Sequence, residues 1–260
     1  MSQQTKLRFF YHNILGSTGS TITASSTSST SDFSVDYLYN FLEVNSWQES
    51  TGMTTSRTIK FDAGVGNTYS ADYFAIHGHN LNGSTLALDV SSDNFAASTV
   101  SAVAAFTVGT TGTILSQFTS PGAYRYWKFT LSRSTATAAA IQIMSLGTAT
   151  ELAYVTPPFD PHAQEIKANI NISHSGYVTG IHTLFTERNM DIKLSNASTA
   201  VYASVKTWFE THGAKQFFVA WNATASTADV WLMRPELRFN NPITVDKFRD
   251  ISISLTGRKL

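Results

Sequence analysis

Apolar residues recur at every second position through much of the chain, in short runs broken by Gly, Asn, Ser and Pro. That period places one side of each run in a core and the other toward water, as in a half-buried strand. Residues 7–11 form a first short apolar run, and 58–62 alternate cleanly through Ile59 and Phe61. Residues 72–76 are denser and suit a strand buried on both faces. The segment 77–83 follows as a turn, where Asn82-Gly83 supplies the positive φ that tight turns need. Residues 85–90 return as a strand with Leu86, Leu88 and Val90 on one face. Further strands are predicted at 100–108, 113–118, 124–131 and 140–146. Within 124–131, Tyr124, Tyr126, Lys128 and Thr130 face one way, and Arg125, Trp127, Phe129 and Leu131 the other. Short strands at near-regular spacing predict a β-sandwich or jelly roll.

Two stretches interrupt this pattern. Residues 16–34 are mostly Ser, Thr and Gly, which reads as a flexible linker or an ordered arm. The arm is preferred, with 21–24 along a sheet edge and within reach of a neighbouring subunit. Residues 155–161 carry Pro157, Pro158 and Pro161, which forbid continuous ladder pairing and mark a domain boundary. Beyond it strands are predicted at 168–173, 180–186 and 190–194. One helix follows, capped by Asn196 or Ser198, with Val201, Val205, Trp208, Phe209 and His212 at helical spacing and Gly213 as the stop. Strands at 216–221, 230–233 and 251–255 complete the chain. The expected organisation is mainly β: a strand and arm over 1–34, a jelly roll over 35–155, and a sandwich with one flanking helix over 156–260.

Composition changes the picture in one direction. Charged residues make up 14% and the formal net charge is zero, whereas hydrophobic residues reach 42%. A neutral, charge-poor surface suits a protein held inside an assembly, since soluble monomers usually keep some net charge. There is no Lys/Arg run, which argues against nucleic acid, and no apolar stretch of bilayer length. No apolar signal segment follows Met1, and the absence of Cys removes disulfides, thiolate catalysis and Cys-type zinc sites. Asn-x-Ser/Thr triplets at Asn82, Asn171, Asn196 and Asn222 are read as turn chemistry.

Several constellations carry candidate chemistry. His77 and His79 have a metal-like spacing without a third ligand, so backbone-bonded rings closing a buried strand are the preferred reading. Asp62, Asn67 and Asp72 bracket a Gly-rich turn and could present oxygens to a structural calcium, with ordinary turn bonding as the alternative. Trp47, Tyr124, Tyr126 and Trp127 could stack on a sugar face, with His79, Asn80 and Arg125 as polar partners at its rim. Aromatics at strand spacing are equally the stuff of cores. Ile22, Phe217, Phe218, Trp221 and Trp231 are candidate seam residues between subunits. No Gly-x-Ser-x-Gly, His-Glu-x-x-His, P-loop or dinucleotide pattern occurs, so no enzyme and no cofactor beyond calcium is expected.

The order of several short motifs is distinctive. Asn13-Ile14-Leu15, Ala24-Ser25-Ser26, Trp47 and Ile59-Lys60-Phe61-Asp62 lead into Tyr73-Phe74-Ala75-Ile76-His77-Gly78-His79-Asn80-Leu81. Tyr124-Arg125-Tyr126-Trp127 and Ile143-Met144-Ser145-Leu146-Gly147 follow. Residues 5–155 resemble virion proteins of tailed bacteriophages that carry a galactose-binding-like jelly roll. The C-terminal part is similar in layout to tail-tube and distal-tail sandwiches, although in those the ring-forming sandwich comes first. The resemblance implies a tail-tip, baseplate or minor tail component, made in the host cytoplasm and carried in the virion. Its partners would be copies of itself in a ring, other tail proteins and a host-surface glycan. Three rival readings stand beside it: a carbohydrate-binding module, a hydrolase of cell-envelope polymers, and a head decoration or completion protein.

Overall fold

The structure is a computed structural model that describes residues 6–50, 52, 55–109, 111–133, 137–221, 229–244 and 247–258. The Asn222 triplet lies outside the described residues. The chain divides into two compact units, one built on Phe10–Thr150, the other on the chain before it and most of the chain from Glu151 onward. The fold is mainly β. Its strands are β1 (Arg8–Phe10), β2 (Thr21–Ala24), β3 (Trp47–Gln48), β4 (Arg57–Asp62), β5 (Tyr73–His79), β6 (Thr85–Ser91), β7 (Val100–Thr107), β8 (Ile114–Gln117), β9 (Tyr126–Ser132), β10 (Ala140–Gly147), β11 (Thr150–Glu151), β12 (Gln164–Ile172), β13 (Val178–Ala197), β14 (Phe217–Ala220), β15 (Val230–Pro235) and β16 (Arg249–Arg258). The helix α1 is Thr199–His212.

In the N-terminal unit two antiparallel sheets, ordered β2-β4-β9-β6-β7 and β3-β10-β5-β8, share one apolar core. Period 2 decides what each strand contributes. Ile59 and Phe61 of β4, Leu86, Leu88 and Val90 of β6, and Trp127, Phe129 and Leu131 of β9 enter from one sheet. Trp47, Phe74, Ile76, Ile114, Ile141, Met144 and Leu146 enter from the other. The dense run at 73–76 is buried throughout, as its composition predicts. Within the Ser/Thr-rich stretch Thr21–Ala24 lies along a sheet edge as expected, pairing with β4 of the chain's own sheet. Gly147 shows why the late Leu-Gly pair matters, since a Cβ there would lie 1.9 Å from the His12 carbonyl oxygen. Only a glycine lets β10 approach that carbonyl so closely.

The C-terminal unit is one seven-stranded sheet, ordered β11-β1-β14-β15-β16-β13-β12, with α1 against it. Ser198 Oγ accepts from the Val201 N–H and is the cap. Val205 and Trp208 form the buried face. Phe9, Trp208 and Phe217 meet there with ring centroids 4.9–5.1 Å apart. Gly213 ends the helix in a right-handed conformation (φ −59°), its N–H bonded to the Phe209 carbonyl. The residue is small because a Cβ would lie 2.5 Å from that carbonyl oxygen, so close approach and not positive φ selects glycine.

The two strands expected at 180–186 and 190–194 are one strand of twenty residues, β13. Glu187-Arg188-Asn189 reads as a polar break, yet these residues are paired on both sides. Glu187 faces Glu165 of β12 and Arg258 of β16, and Lys167 Nζ bridges the two acids at 2.6 Å to Glu165 and 3.1 Å to Glu187.

Candidate functional site

The residues expected to form a sugar platform are fasteners of the sandwich. Trp47 and Trp127 are fully buried, and their indole N–H groups donate to Thr27 Oγ1 and the Tyr124 carbonyl. A ring with no exposed face cannot stack on a sugar. Tyr126 is buried, and Tyr124 packs against the same core while pairing with Tyr69. Arg125 forks onto Asp62 at 2.7 and 3.1 Å. Asn80 is spent on the backbone, donating to the Ala138 carbonyl and accepting from the Ala140 N–H. His79 Nδ1 accepts from the Leu81 N–H, and Nε2 lies 2.7 Å from the Gly112 carbonyl oxygen. Burial holds the His79 imidazole below its usual range, partly offset by the Gly112 bond. His77 is buried with Nδ1 2.8 Å from Thr113 Oγ1.

The calcium trio is likewise committed elsewhere. The Asp62 carboxylate takes the Arg125 guanidinium and the Gly64 N–H, which together hold it below the usual carboxylate range. Asn67 donates to the Ala63 carbonyl, and Asp72 accepts from the Ala149 N–H. The Asp62–Gly64 and Asn67–Ala63 bonds are the local turn chemistry of the alternative reading, while Arg125 and Ala149 tie Asp62 and Asp72 to distant parts of the chain.

The proposed seam residues turn inward. Phe217 and Phe218 are fully buried, and Trp231 is 7% exposed beneath the Arg188 guanidinium, 4.3 Å from the ring centroid. Trp221 is half-buried beside His162, and Ile22 packs on the sandwich core. Alternating aromatics suit a core and a seam equally, and here the core took them.

A contiguous set of exposed apolar residues lies instead on a two-stranded ribbon. Among the described residues β16 pairs with β13 from Glu187 onward, and 178–186 has β12 as its ladder partner. The turn at 173–177 is closed by Ser173 N–H to the Tyr177 carbonyl at 2.8 Å. Ile170 faces Ile181 and Ile172 faces Val178 across the ribbon, and Ile166 shares their side of β12 by period 2. These five side chains are 56–66% exposed. Tyr177, Leu184 and Phe185 are exposed around them. No Asp, Glu, Lys or Arg occurs between Lys167 and Glu187. Natural edges are usually guarded by charge or proline, and this one has neither. The signal was present in the sequence as Ile170-x-Ile172 and the residues up to Ile181 inside the charge-free stretch 168–186, with Ile166 just before it.

No family model matches the chain, and no curated protein matches it. Among solved structures it is similar to a GH29 fucosidase of Ruminococcus gnavus in complex with fucose, at 16% identity and TM-score 0.47 over 55% of this chain. The match spans 28% of the fucosidase. It is also similar to chitosan-binding module 1 of a Paenibacillus sp. IK-5 chitosanase/glucanase, at 17% identity and TM-score 0.42 over 52% of this chain and 98% of that one. A third is CpGH89CBM32-5 of Clostridium perfringens in complex with GalNAc-β-1,3-galactose, at 14% identity and TM-score 0.41 over 50% and 95%. Likeness at this level assigns no function.

Proposed function

We propose that this chain is a non-catalytic structural subunit of a bacteriophage tail that assembles with copies of itself through the β12–β13 ribbon. The exposed isoleucine face carries the proposal. A two-stranded hairpin is marginal in water by itself. This one presents Ile166, Ile170, Ile172, Val178 and Ile181 on one side, and β12 is the edge strand of its sheet. Pairing with another copy would satisfy that edge and bury the face in one step. With Tyr177 and Leu184 at its margin, this face is of the order of an ordinary specific interface, about 800 Å² per partner. The chain's zero net charge imposes no repulsion between copies. Placement in a tail follows the motif resemblance of residues 5–155, with head decoration or completion as the alternative station.

The test is the mass of the full chain in sedimentation velocity across about two decades of concentration. Mass should rise with concentration. Ile170→Lys combined with Ile181→Lys should raise the dissociation constant at least about a hundredfold with Tm nearly unchanged, since two buried isoleucines are lost from the contact. A native chain that stays monomeric throughout, or a variant that associates equally well, overturns the proposal. Recognition of a host-surface glycan is the second reading. The observation in its favour is a polar cleft beside Phe159, lined by residues of the C-terminal unit.

A further inference from the structure

The segment 156–163, which carries the three boundary prolines and leads into β12, is tied to β13 at both ends. At one end the Thr156 N–H donates to the Lys193 carbonyl at 2.7 Å, and the Ser195 N–H donates to Thr156 Oγ1 at 3.0 Å. At the other, the Asn189 N–H donates to the Ala163 carbonyl at 3.1 Å. Between these ties the segment arches over the sheet and leaves a cavity of about 440 Å³. Its floor is the polar side of the ladder, where Asp191 faces Ser254 and Lys193 faces Ser252. Met190, Ile192 and Leu194 alternate with these residues and are buried. Its wall is Pro158 and Phe159, with Asp160 at the rim.

The hydrogen-bonding capacity of this floor is only partly used. Asp191 Oδ1 accepts the Ser254 hydroxyl at 2.6 Å, and Asp160 Oδ1 accepts the His162 N–H at 2.9 Å. The second oxygen of each carboxylate has no partner among the described residues, and the Lys193 ammonium makes no ion pair among them. Acceptors, a donor and two hydroxyls thus converge on one space beside an aromatic ring. The volume lies within the roughly 300–1,000 Å³ of small-ligand sites.

We infer that this cleft binds a neutral mono- or disaccharide, its hydroxyls bonded to Asp160, Asp191 and Lys193 and its apolar face against Phe159. Two carboxylates against one ammonium repel phosphates and other anions. The same groups suit hydroxyls, which donate to carboxylates and accept from an ammonium. The ring wall suits the C–H face of a pyranose. This gives the glycan reading a site, and it is independent of self-assembly through the ribbon.

Saturation-transfer NMR on the full chain, with lactose, cellobiose and diacetylchitobiose as probes and glucose 1-phosphate as the anionic control, tests it. At least one neutral disaccharide should receive transfer and the phosphate none. Phe159→Ala and Asp191→Asn should each weaken binding by about tenfold or more, the worth of one charged hydrogen bond or one stacked ring. Should Asp191→Asn unfold, Lys193→Met on an exposed side chain carries the same expectation. No transfer to any neutral sugar, a preference for the phosphate, or binding unmoved by these variants overturns the inference. Sedimentation of the same samples reports separately on assembly, so failure of one proposal is not mistaken for failure of the other.

Discussion

The sandwich core of the N-terminal unit and the β12–β13 ribbon are written in the same alternating pattern. In the sandwich two such faces close on each other, and Trp47, Phe74, Trp127 and Phe129 lie at 0–1% exposure. In the ribbon a single face of isoleucine and valine has no second layer. Alternation states that a face must be covered, and topology states by what. Where two sheets of one chain share a core the cover is internal. Where one face of a two-stranded ribbon stays exposed the cover must come from outside, and the absence of charge between Lys167 and Glu187 leaves that approach unopposed.

The widest separation between the two regions should appear on truncation. Trp127→Ala empties a filled core and should cost about 3–5 kcal/mol in urea unfolding. Ile181→Ala removes a side chain that is 66% exposed and should cost under about 0.5 kcal/mol in the dissociated chain. Equal costs at the two positions would erase the distinction. A second contrast is electrostatic. Glu49 is fully buried in the N-terminal unit and paired with Arg57, and its Oε2 also receives the Ala139 N–H at 3.4 Å. Arg57→Met strands that carboxylate and should cost about 3 kcal/mol, most of it recovered when Glu49→Gln is added. At the foot of the ribbon, Lys167→Met breaks an exposed network and should cost under about 1 kcal/mol. If Arg57→Met proved as mild as Lys167→Met, the buried pair would not be holding the sandwich together.

Most strands were legible because each is half-buried and so displays its period. β13 was misread at Glu187-Arg188-Asn189, where charged residues inside a ladder look like a loop until Lys167 supplies their counterpart. The sheet membership of β1 was not legible at all: residues 8–10 lie between β11 and β14, and no local pattern encodes a partner so distant in sequence. The aromatic platform failed for a related reason. Trp47 and Trp127 have the spacing of a platform and of a core, and burial alone separates the two. The cleft beside Phe159 was not legible because its ties join Thr156 and the Ala163 carbonyl to residues of β13 far along the chain, which no local pattern records. The ribbon could have been found, since its signal is a negative one: alternating isoleucines with no guarding charge.

The smallest expected effect concerns pH and returns to His79, first considered as a sugar contact. Its Nδ1 accepts the Leu81 N–H, so in the neutral ring the proton sits on Nε2 and is donated to the Gly112 carbonyl. Both nitrogens are then satisfied. A second proton would have to sit on Nδ1, facing the Leu81 N–H, inside a site whose burial already disfavours charge. The folded pKa therefore lies below the unfolded value of 6.5. The unfolded chain binds the extra proton first, so this contribution to stability is complete above about pH 6.5 and is lost as pH falls through the folded value. His12 is lowered by burial too and acts in the same direction. The urea midpoint should fall as pH drops below 6.5, and His79→Gln, which cannot titrate, should flatten that fall while leaving the His12 part. A slope unchanged in His79→Gln would mean that the ring is charged in the folded protein and that Leu81 is held in some other way.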